Sequence, residues 1–337
     1  MILNVELAEK SYDVIIERGA INRAKEEFNL DRKVLVITDD GVPKIYAETI
    51  KNQCKKGIIA TVKQGEKSKS IEVYEKLLKK MLKEGFSRKD CVVAVGGGVV
   101  GDLAGFVASS YMRGVDFYNV PTTVLAQIDS SIGGKTALNL GGVKNVVGAF
   151  YQPKKVIIDA DLLSTLEERQ FNNGLAEGIK MSLTSDADLF NRFEKFSARE
   201  IIETIIIKSL IIKKNVVEQD EKEKSLRKIL NFGHTIGHAI ESLEEMKNLY
   251  HGECVAIGMI PMCEEEVRRR LINVLKKNGL YREIEIDWEE AKAILAHDKK
   301  ASLDTVSAIF VKEAGTCEVV ETDIDELIKI AKEGLKK

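Results

Sequence analysis

The pattern of apolar residues changes part of the way along the chain, and this change limits the possible folds more than any other feature. Up to about residue 160, short β-branched runs such as 34–38, 57–62 and 91–95 alternate with amphipathic stretches. Alternation of this kind predicts a mostly parallel sheet with helices on its faces. Beyond residue 160 the strand signal nearly vanishes, and apolar residues recur at helical spacing.

The two patterns predict two domains, because 337 residues exceed the size at which a single core stops growing. We predict an α/β domain over residues 1–159 and a mainly helical domain over residues 160–337, with a site in the cleft between them. Further strands are predicted at 117–120 and 155–159 and a weak strand pair near 305–320. The helices of the second half are predicted at 173–185, 187–196, 198–217, 223–246, 252–271, 289–297 and 323–335.

Charge and cysteine content exclude several classes of partner and location. The net charge of -2 gives no electrostatic reason to expect nucleic acid or an anionic membrane. The five cysteines are scattered and form no C-x-x-C pair, which favours reduced thiols in a cytoplasmic protein over disulfides or a thiolate metal site. The N-terminus lacks a signal-peptide profile, and no apolar run is long enough to span a bilayer.

A glycine-rich turn at residues 96–102, Gly-Gly-Gly-Val-Val-Gly-Asp, follows a buried strand and opens a helix. Glycines let a ligand approach the backbone, and the helix N-terminus offers free N–H groups to a phosphate. Asp39 ends an earlier strand, where its carboxylate could hold ribose hydroxyls. Because this acidic residue precedes the glycines, the order differs from the usual Rossmann fingerprint. The turn therefore predicts a dinucleotide site in a Rossmann-like variant, and a tight turn without a ligand is the alternative.

A second polar segment carries lysines within glycine-rich sequence. It reads Asp-Ser-Ser-Ile-Gly-Gly-Lys-Thr at 129–136 and continues to Lys144 and Asn145. Small residues around a lysine suit an anionic substrate group that lies close to the backbone. The alternative is a solvated loop with ordinary surface lysines.

Histidine is scarce in this chain, and three of the four histidines fall within a short stretch: His234, His238 and His251. Arg227, Asn231, His234 and His238 are spaced four, three and four residues apart. This spacing predicts that all four lie on one face of a single helix.

Two glycines, Gly233 and Gly237, interrupt the same predicted helix. Each costs a helix about 1 kcal/mol relative to alanine. They indicate that something approaches the backbone closely at these positions.

Asn173, Glu177 and Lys180 form a second polar stripe, at i, i+4 and i+7 of another apolar helix. One carboxylate and two histidines from different helices would make a three-ligand zinc site with an open position. The spacing does not decide which two histidines bind, and His234 and His238 could both be ligands. The alternative is that each histidine is an ordinary core or surface residue.

Taken together, these segments resemble the signature blocks of the 3-dehydroquinate synthase family. The resemblance runs over nearly the whole chain and is densest over 96–180 and 227–259. It rests on Gly-Gly-Gly-Val-Val-Gly-Asp-Leu-Ala-Gly-Phe at 96–106, Val-Pro-Thr-Thr at 120–123, the block at 129–136, Asn-Gly-Leu-Ala-Glu at 173–177, Asn-Phe-Gly-His-Thr-Ile-Gly-His at 231–238 and His-Gly-Glu at 251–253.

The resemblance implies a zinc- and NAD-dependent lyase of aromatic amino acid biosynthesis, with Co²⁺ as an alternative metal. Such an enzyme converts 3-deoxy-D-arabino-heptulosonate 7-phosphate to 3-dehydroquinate and phosphate. It does so by transient oxidation with NAD, phosphate elimination, re-reduction and an intramolecular aldol step. The first domain would bind NAD, and the helical domain would bind metal and substrate. Another sugar phosphate cyclase and a metal-dependent NAD polyol or glycerol dehydrogenase are the alternatives.

The resemblance also implies residue roles. Metal ligands would be Glu177, His234 and His251. Residues binding NAD would be Asp39, Glu66, Lys69, Gly97, Gly98, Asp102, Thr122, Thr123, Leu125, Asp129, Lys135, Lys144, Thr165 and Asn173. Residues binding substrate would be Arg113, Asp129, Lys135, Lys144, Asn145, Lys180, Lys213, Arg227, Asn231, His238 and Lys299. Within these sets the catalytic residues would be His238, Lys135, Asn231, Arg227 and Lys180. Arg113 would reach across a dimer interface, so a homodimer is expected.

Overall fold

The computed structural model describes residues 1–7, 10–221, 226–243, 248–297 and 305–336. The chain divides into two compact units, Met1–Glu167 and Glu168–Lys337. The first unit is α/β and the second is mainly helical, which confirms the predicted fold class. Among the described residues, no helix is both long and apolar enough to cross a membrane.

The first unit is built on a seven-stranded sheet that is parallel except at one edge. Its strands are β1 (Ile2–Val5), β2 (Tyr12–Ile16), β3 (Lys33–Asp39), β4 (Lys56–Val62), β5 (Cys91–Gly96), β6 (Asp116–Pro121) and β9 (Lys155–Ile158), and a separate hairpin contains β7 (Lys135–Leu140) and β8 (Val143–Phe150). The order is β1-β2-β9-β6-β5-β3-β4, in which β1 pairs antiparallel with β2. The helices are α1 (Ala24–Glu27), α2 (Lys44–Asn52), α3 (Ile71–Lys83) and α4 (Gly98–Ser110).

The central strands are apolar along their whole length because both faces of the sheet are covered. In β3, Val34 packs into one core with Ile50 of α2, and Leu35 packs into the other core with Leu103 of α4. A strand buried on both sides has no polar face, which explains the continuous Val and Ile runs. Because these strands are parallel, the segments that follow β3, β5 and β6 emerge at the same edge, where ligands of open sheets collect.

The segment of residues 135–150, which the sequence marked only as glycine-rich and cationic, is a β-hairpin. Its two strands meet at a turn of Gly141 and Gly142, whose φ angles are 60° and 82°. Two successive positive φ angles suit a two-residue hairpin turn. The exposed β8 strand lacks the apolar alternation that would have predicted it.

The second unit consists of eight helices and one hairpin among its described residues. The helices are α5 (Glu168–Ser185), α6 (Ala187–Lys195), α7 (Ile202–Gln219), α8 (His234–Ser242), α9 (His251–Met259), α10 (Glu265–Lys277), α11 (Trp288–His297) and α12 (Ile324–Gly334), and the antiparallel hairpin pairs β10 (Thr305–Phe310) with β11 (Glu318–Asp323). The helix predicted over 252–271 is wrong in one respect. It divides at a 3₁₀ turn, Ile260–Met262, that contains Pro261, which cannot donate a backbone hydrogen bond.

The helix predicted over 223–246 is also wrong, because its described part is not continuous. Arg227 and Asn231 lie in a 3₁₀ segment, Leu226–Asn231, and α8 begins only at His234. Gly233, with φ of 75°, separates the two segments in the left-handed region. Arg227, Asn231, His234 and His238 therefore do not share one helix face, and only the two histidines do.

Candidate active site

Helices α8 and α9 cross with their backbones in close contact, and glycines make this possible. A Cβ atom on Gly237 would lie 3.0 Å from both the carbonyl oxygen of Cys254 and the Cα of Val255. A Cβ atom on Gly258 of α9 would overlap the carbonyl oxygen of Gly233. The predicted close approach is thus confirmed, and the partner is the backbone of α9.

This crossing brings together the three histidines that lie close to one another in the sequence. One ring nitrogen from each of His234, His238 and His251 lies within 4.8 Å of the others. The ring centroid of His234 is 5.2 Å from that of His238 and 5.3 Å from that of His251. His238 is exposed, whereas the other two are partly buried.

The buried carboxylate of Glu177, on α5, faces two of these rings. Its Oε1 lies 3.5 Å from Nε2 of His234 and 3.6 Å from Nε2 of His251. Metal bonds of about 2.0–2.2 Å at a tetrahedral angle separate two ligand atoms by roughly 3.3–3.5 Å. Both distances from Glu177 Oε1 therefore match those of two ligands on one zinc-type ion, and the donor set suits such an ion.

The protein also contacts Nδ1, the second ring nitrogen, of both His234 and His251. Nδ1 of His234 lies 3.2 Å from the carbonyl oxygen of Phe232, and Nδ1 of His251 lies 3.1 Å from Oε2 of Glu241. Partners of this kind fix the ring orientation of metal-binding histidines and leave Nε2 to the ion. Sequence reasoning missed Glu241, although its position three residues after His238 on α8 was a usable signal.

The local electrostatics favour the metal-binding forms of two of the three groups. Burial would raise the pKa of Glu177, but Lys180 and then His234 outweigh it and hold that pKa well below its usual range. Burial lowers the pKa of His234 to about 3, and the charge of Lys180 adds to the effect. Burial disfavours the charged form of His251, but hydrogen bonds with Glu177 and Glu241 outweigh it and raise its pKa to about 9. A metal ion would displace that proton.

The predicted substrate residues of the second unit include three buried cations. Lys180 contacts Oε2 of Glu177, one turn away on α5. Lys213 is buried in α7. Arg227 is buried in the 3₁₀ segment and donates from Nη1 to the carbonyl oxygen of Glu221 at 2.6 Å. Cations in buried surroundings form strong charge-assisted hydrogen bonds, so this part of the unit suits an anionic ligand.

Asn173 occupies the first position of the same α5 stripe, which confirms the predicted helical spacing of Asn173, Glu177 and Lys180. Its Oδ1 accepts a hydrogen bond from the backbone nitrogen of Gly252 at 2.6 Å. The predicted NAD-binding residue thus also holds the first turn of α9.

In the first unit, the glycine turn opens α4 as predicted. A Cβ atom on Gly97 would lie 3.1 Å from Cγ2 of Thr123, and one on Gly98 would lie 3.1 Å from Oγ of Ser130. Oγ1 of Thr123 accepts a hydrogen bond from the nitrogen of Ala126 at 3.2 Å. Neighbouring side chains therefore leave little room for a Cβ at Gly97 and Gly98, whether or not a phosphate binds at this helix N-terminus.

The segment after β6 adds an unusual helical turn at the same edge of the sheet. The nitrogen of Thr122 donates to the carbonyl oxygen of Gly96 at 3.0 Å, which joins this segment to the glycine turn. Residues Ala126–Ser130 form a π-helical turn that contains Asp129 and begins directly after Leu125. Turns of this type are frequent at functional sites.

A hydrogen-bonded network joins four of the predicted ligand-binding residues. Nζ of the buried Lys69 lies 2.7 Å from Oδ2 of Asp102 and also contacts Oδ1 of Asn145. Asn139 of β7 links the network further, since its Nδ2 donates to Oε1 of Glu66 at 2.8 Å and its Oδ1 accepts from the nitrogen of Asn145 at 2.8 Å. Sequence reasoning missed Asn139, because nothing in a lone asparagine of an unpredicted strand signals this role.

Asp39 and Thr165 lie where strands β3 and β9 lead into their following segments. Oδ1 of Asp39 accepts from the nitrogens of Gly41 at 2.8 Å and Val42 at 3.1 Å, and burial raises the pKa of this carboxyl. Oγ1 of Thr165 lies 2.9 Å from the hydroxyl of Tyr46.

Four predicted residues are exposed. Lys135, Lys144 and Asn145 project from the β7–β8 hairpin, and Asn145 has a left-handed φ of 57°. Arg113 is exposed in a turn where its φ of 68° is also left-handed, a conformation that non-glycine residues adopt uncommonly. Lys299 lies outside the described residues.

Comparisons with known proteins identify related sequences. A sequence model described as 3-dehydroquinate synthase N-terminal matches residues 59–173, and one described as 3-dehydroquinate synthase C-terminal matches residues 174–301. A 3-dehydroquinate synthase of Lactococcus lactis subsp. cremoris is 40% identical, with 100% of both chains covered. One of Thermoanaerobacter sp. is 39% identical, covering 98% of this chain and 99% of the relative.

Solved structures with the same fold include other cyclases. A 2-deoxy-scyllo-inosose synthase complexed with carbaglucose-6-phosphate, NAD⁺ and Co²⁺ is 27% identical with a TM-score of 0.87, covering 99% of this chain and 100% of that one. A 2-epi-5-epi-valiolone synthase of Streptomyces hygroscopicus with NAD⁺ and Zn²⁺ bound is 25% identical with a TM-score of 0.87, covering 98% of both chains. An iron-containing alcohol dehydrogenase, 14% identical with a TM-score of 0.68 over 96% of this chain and 97% of that one, shares the fold alone.

Proposed function

The chain belongs to the 3-dehydroquinate synthase family, and from this premise we propose that it converts 3-deoxy-D-arabino-heptulosonate 7-phosphate to 3-dehydroquinate and phosphate. The observation that carries the proposal is the spacing of Glu177 Oε1 from Nε2 of His234 and of His251, at 3.5 and 3.6 Å. The 38–40% identity with 3-dehydroquinate synthases over nearly whole chains favours this reaction over that of the other cyclases, which are 25–27% identical.

We propose that Glu177, His234 and His251 hold Zn²⁺ or Co²⁺. The distances of 3.5 and 3.6 Å from Oε1 of Glu177 to Nε2 of His234 and of His251 support Glu177 as the third ligand in place of His238. The carbonyl of Phe232 behind His234 and the carboxylate of Glu241 behind His251 support these two histidines as ligands. A bound ion would supply a Lewis acid that acidifies a substrate hydroxyl and polarises a carbonyl.

We propose that the first unit binds NAD, which would supply a transient hydride acceptor. The glycine turn at the N-terminus of α4 faces its phosphates, and the carboxylate of Asp39 holds a ribose. The residues assigned to NAD are the fourteen that the family resemblance implies, thirteen in the first unit and Asn173 on α5 of the second. Among them, the buried Lys69 forms an ion pair with the partly buried Asp102.

The remaining polar residues bind and orient the substrate. Lys180, Lys213 and Arg227 neutralise its charge in surroundings where water is largely excluded, which strengthens each contact. Lys135, Lys144, Asn145, Arg113 and Lys299 bind its phosphate. Asp129 accepts hydrogen bonds from its hydroxyl groups. Asn231 binds a substrate hydroxyl. His238 stands exposed beside the two proposed metal ligands, and its ring accepts the proton of the substrate hydroxyl.

We propose further that the protein is a cytoplasmic homodimer in which Arg113 reaches the partner's site. All five cysteines are free thiols, as a reducing compartment requires. The exposed left-handed turn at Arg113 and the exposed apolar residues Val143 and Val146 of the hairpin support association through this part of the first unit. The domain limits at 159/160 and the cleft between the domains stay predictions.

The reaction is tested by supplying the seven-carbon substrate with metal and a small fraction of NAD and following phosphate and 3-dehydroquinate. We expect the two products in equal amounts, many turnovers per NAD and no net NADH. Phosphate release only from a hexose phosphate would indicate another cyclase, and net NADH from glycerol would indicate a dehydrogenase.

Two matched variants test the metal set. His251→Gln should lose bound metal, whereas His238→Gln should retain it and lose turnover. Loss of metal in His238→Gln, with or without loss in His251→Gln, would overturn the assignment of ligands.

A further inference from the structure

Three consecutive residues in the first turn of α9 meet three regularly spaced residues of α5. The α5 residues are Arg169, Asn173 and Glu177, four positions apart, so they lie along one side of that helix. At the start of α9, Nε2 of His251 lies 3.6 Å from Oε1 of Glu177. The backbone nitrogen of the next residue, Gly252, donates a hydrogen bond to Oδ1 of Asn173 at 2.6 Å. The carboxylate of Glu253 then accepts two hydrogen bonds from Arg169, from Nε to Oε1 at 3.0 Å and from Nη2 to Oε2 at 2.8 Å.

The carboxylate of Glu253 is unusually well compensated for a buried charge. It is 1% exposed, and besides Arg169 it accepts from Nη2 of Arg282 at 2.7 Å and from the nitrogen of Tyr250 at 2.9 Å. The guanidinium of Arg169 also stacks on the ring of Tyr250, 4.2 Å from its centroid. A carboxylate held by four hydrogen bonds has one position, and so does the helix end that bears it.

We propose that the Arg169–Glu253 ion pair is a positioning device for the metal centre, which sets the register of α9 on α5. This inference rests on the proposed metal ligands. A forked arginine–carboxylate pair fixes both distance and orientation. A slip of α9 by one residue would move His251 by about 1.5 Å and turn it by about 100°. A metal site tolerates only about 0.2 Å in its bond lengths, so the register decides whether His251 and Glu177 can bind one ion.

The contact between the ion pair and the ligand pair is tight enough to transmit the register. A Cβ atom on Gly252 would overlap the carbonyl oxygen of Asn173, so the two backbones touch midway between Glu253 and His251. The first turn of α9 therefore cannot pivot on one contact without breaking another.

A purely structural role for Glu253 makes a different prediction. As the third residue of α9 it accepts the nitrogen of Tyr250, which stabilises the helix end by itself. In that case its removal would lower the free energy of unfolding but leave the metal affinity of the folded protein unchanged.

The chain contains a control pair of the same geometry, although its carboxylate is more exposed, 29% for Glu194 against 1% for Glu253. Arg270 of α10 donates two hydrogen bonds to the carboxylate of Glu194 of α6, from Nε to Oε1 and from Nη2 to Oε2, both at 2.8 Å. Its guanidinium lies 5.1 Å from the ring centroid of Phe190. Neither α6 nor α10 carries a proposed metal ligand. Loss of this pair should affect stability alone.

The experiment compares Glu253→Gln with Glu194→Gln. Affinity for Zn²⁺ and Co²⁺ is measured by competition with a chelator, and the free energy of unfolding is measured on the metal-free proteins. We expect Glu253→Gln to weaken metal binding about 10- to 100-fold and to change the visible spectrum of bound Co²⁺. Glu194→Gln should be destabilised, yet bind metal within about twofold of wild type, because distant sites act independently.

Arg169→Lys provides a milder variant should Glu253→Gln fail to fold. It keeps the positive charge but loses the fork, so we expect an intermediate loss of metal affinity. Unchanged metal affinity in folded Glu253→Gln and Arg169→Lys would overturn this proposal alone. An equal loss of metal affinity in Glu194→Gln would do the same. A wild-type protein that binds neither ion would overturn the metal site and the proposal with it.

Discussion

Substitution of Gly237 by alanine should destabilise the protein, although the same change in most helices is stabilising. Gly237 lies inside α8, where alanine is favoured over glycine by about 1 kcal/mol. The added Cβ, however, would lie 3.0 Å from the carbonyl oxygen of Cys254 and the Cα of Val255, and 3.1 Å from the nitrogen of Val255. All three atoms belong to the backbone of α9, which must retreat by a few tenths of an ångström.

The net effect follows from two opposing magnitudes. Overpacking of this kind costs about 1–3 kcal/mol, against the gain of about 1 kcal/mol in helix propensity. We expect Gly237→Ala to lower the free energy of unfolding by about 1 kcal/mol. Because α8 carries His234 and α9 carries His251, the same retreat should weaken metal binding about tenfold.

Gly101→Ala is the matched control in α4. Its Cβ would lie 3.5 Å from Nδ2 of Asn119, an ordinary contact, so only the propensity gain of about 1 kcal/mol remains. Gly252→Ala should lower the free energy of unfolding more than Gly237→Ala does, since its Cβ would overlap the backbone of Asn173.

The assay is urea unfolding of the metal-free proteins. Trp288, the single tryptophan, lies at the start of α11 and reports on the second unit by fluorescence, while circular dichroism reports on the whole chain. Stabilisation by Gly237→Ala equal to that by Gly101→Ala, with unchanged metal affinity, would refute the claim that the α8–α9 contact has no room for a Cβ.

Three other outcomes can be checked. Glu177→Ala should abolish stoichiometric zinc binding and phosphate release, and full zinc content measured by metal analysis would contradict the ligand assignment. Lys69→Met should raise the dissociation constant for NAD at least about tenfold in a direct titration, because the partly buried carboxylate of Asp102 loses the cation that pairs with it; an unchanged constant would remove Lys69 from the NAD site. The Arg270 guanidinium, hydrogen-bonded to Glu194, holds the pKa of that carboxyl below its usual value. The ion pair therefore contributes fully to the free energy of unfolding above about pH 4.3, and this contribution is lost as the pH falls through the lower, folded-state pKa. Glu194→Gln should therefore cost up to about 1 kcal/mol at pH 7 and progressively less below about pH 4 in unfolding titrations, and a difference independent of pH would contradict the charge-based account.

The parts of the site that the sequence predicted are those that a single element specifies. Asn173, Glu177 and Lys180 repeat at helical spacing, so their common face could be predicted before the structure. The glycine turn after β5 could be predicted for the same reason, since a buried strand, glycines and a helix follow one another directly.

The parts that could not be predicted depend on local breaks that periodicity conceals. Arg227 and Asn231 fit the spacing of His234 and His238, yet Gly233 takes a left-handed φ of 75° and ends the pattern. Glycine tolerates both a helix interior and such a break, so the letter alone does not decide between them. The β7–β8 hairpin escaped prediction because its exposed strand, with Lys144 and Asn145, has no apolar face.

The metal centre itself belongs to a third class, because it is created by a helix crossing. Glu253 and Arg169 are separated by 84 residues. The contacting residues are consecutive on α9 but four positions apart on α5, so no sequence periodicity predicts that they meet. A sequence pattern can identify each half as polar, but the register between them depends on which glycines allow the backbones to touch. Gly252 lets the first turn of α9 touch α5, where a Cβ would overlap the carbonyl oxygen of Asn173. Gly237 lets α8 approach α9, where a Cβ would lie 3.0 Å from the carbonyl oxygen of Cys254. In this fold, metal affinity should therefore respond to the packing of backbone atoms as strongly as to the chemistry of the ligand shell.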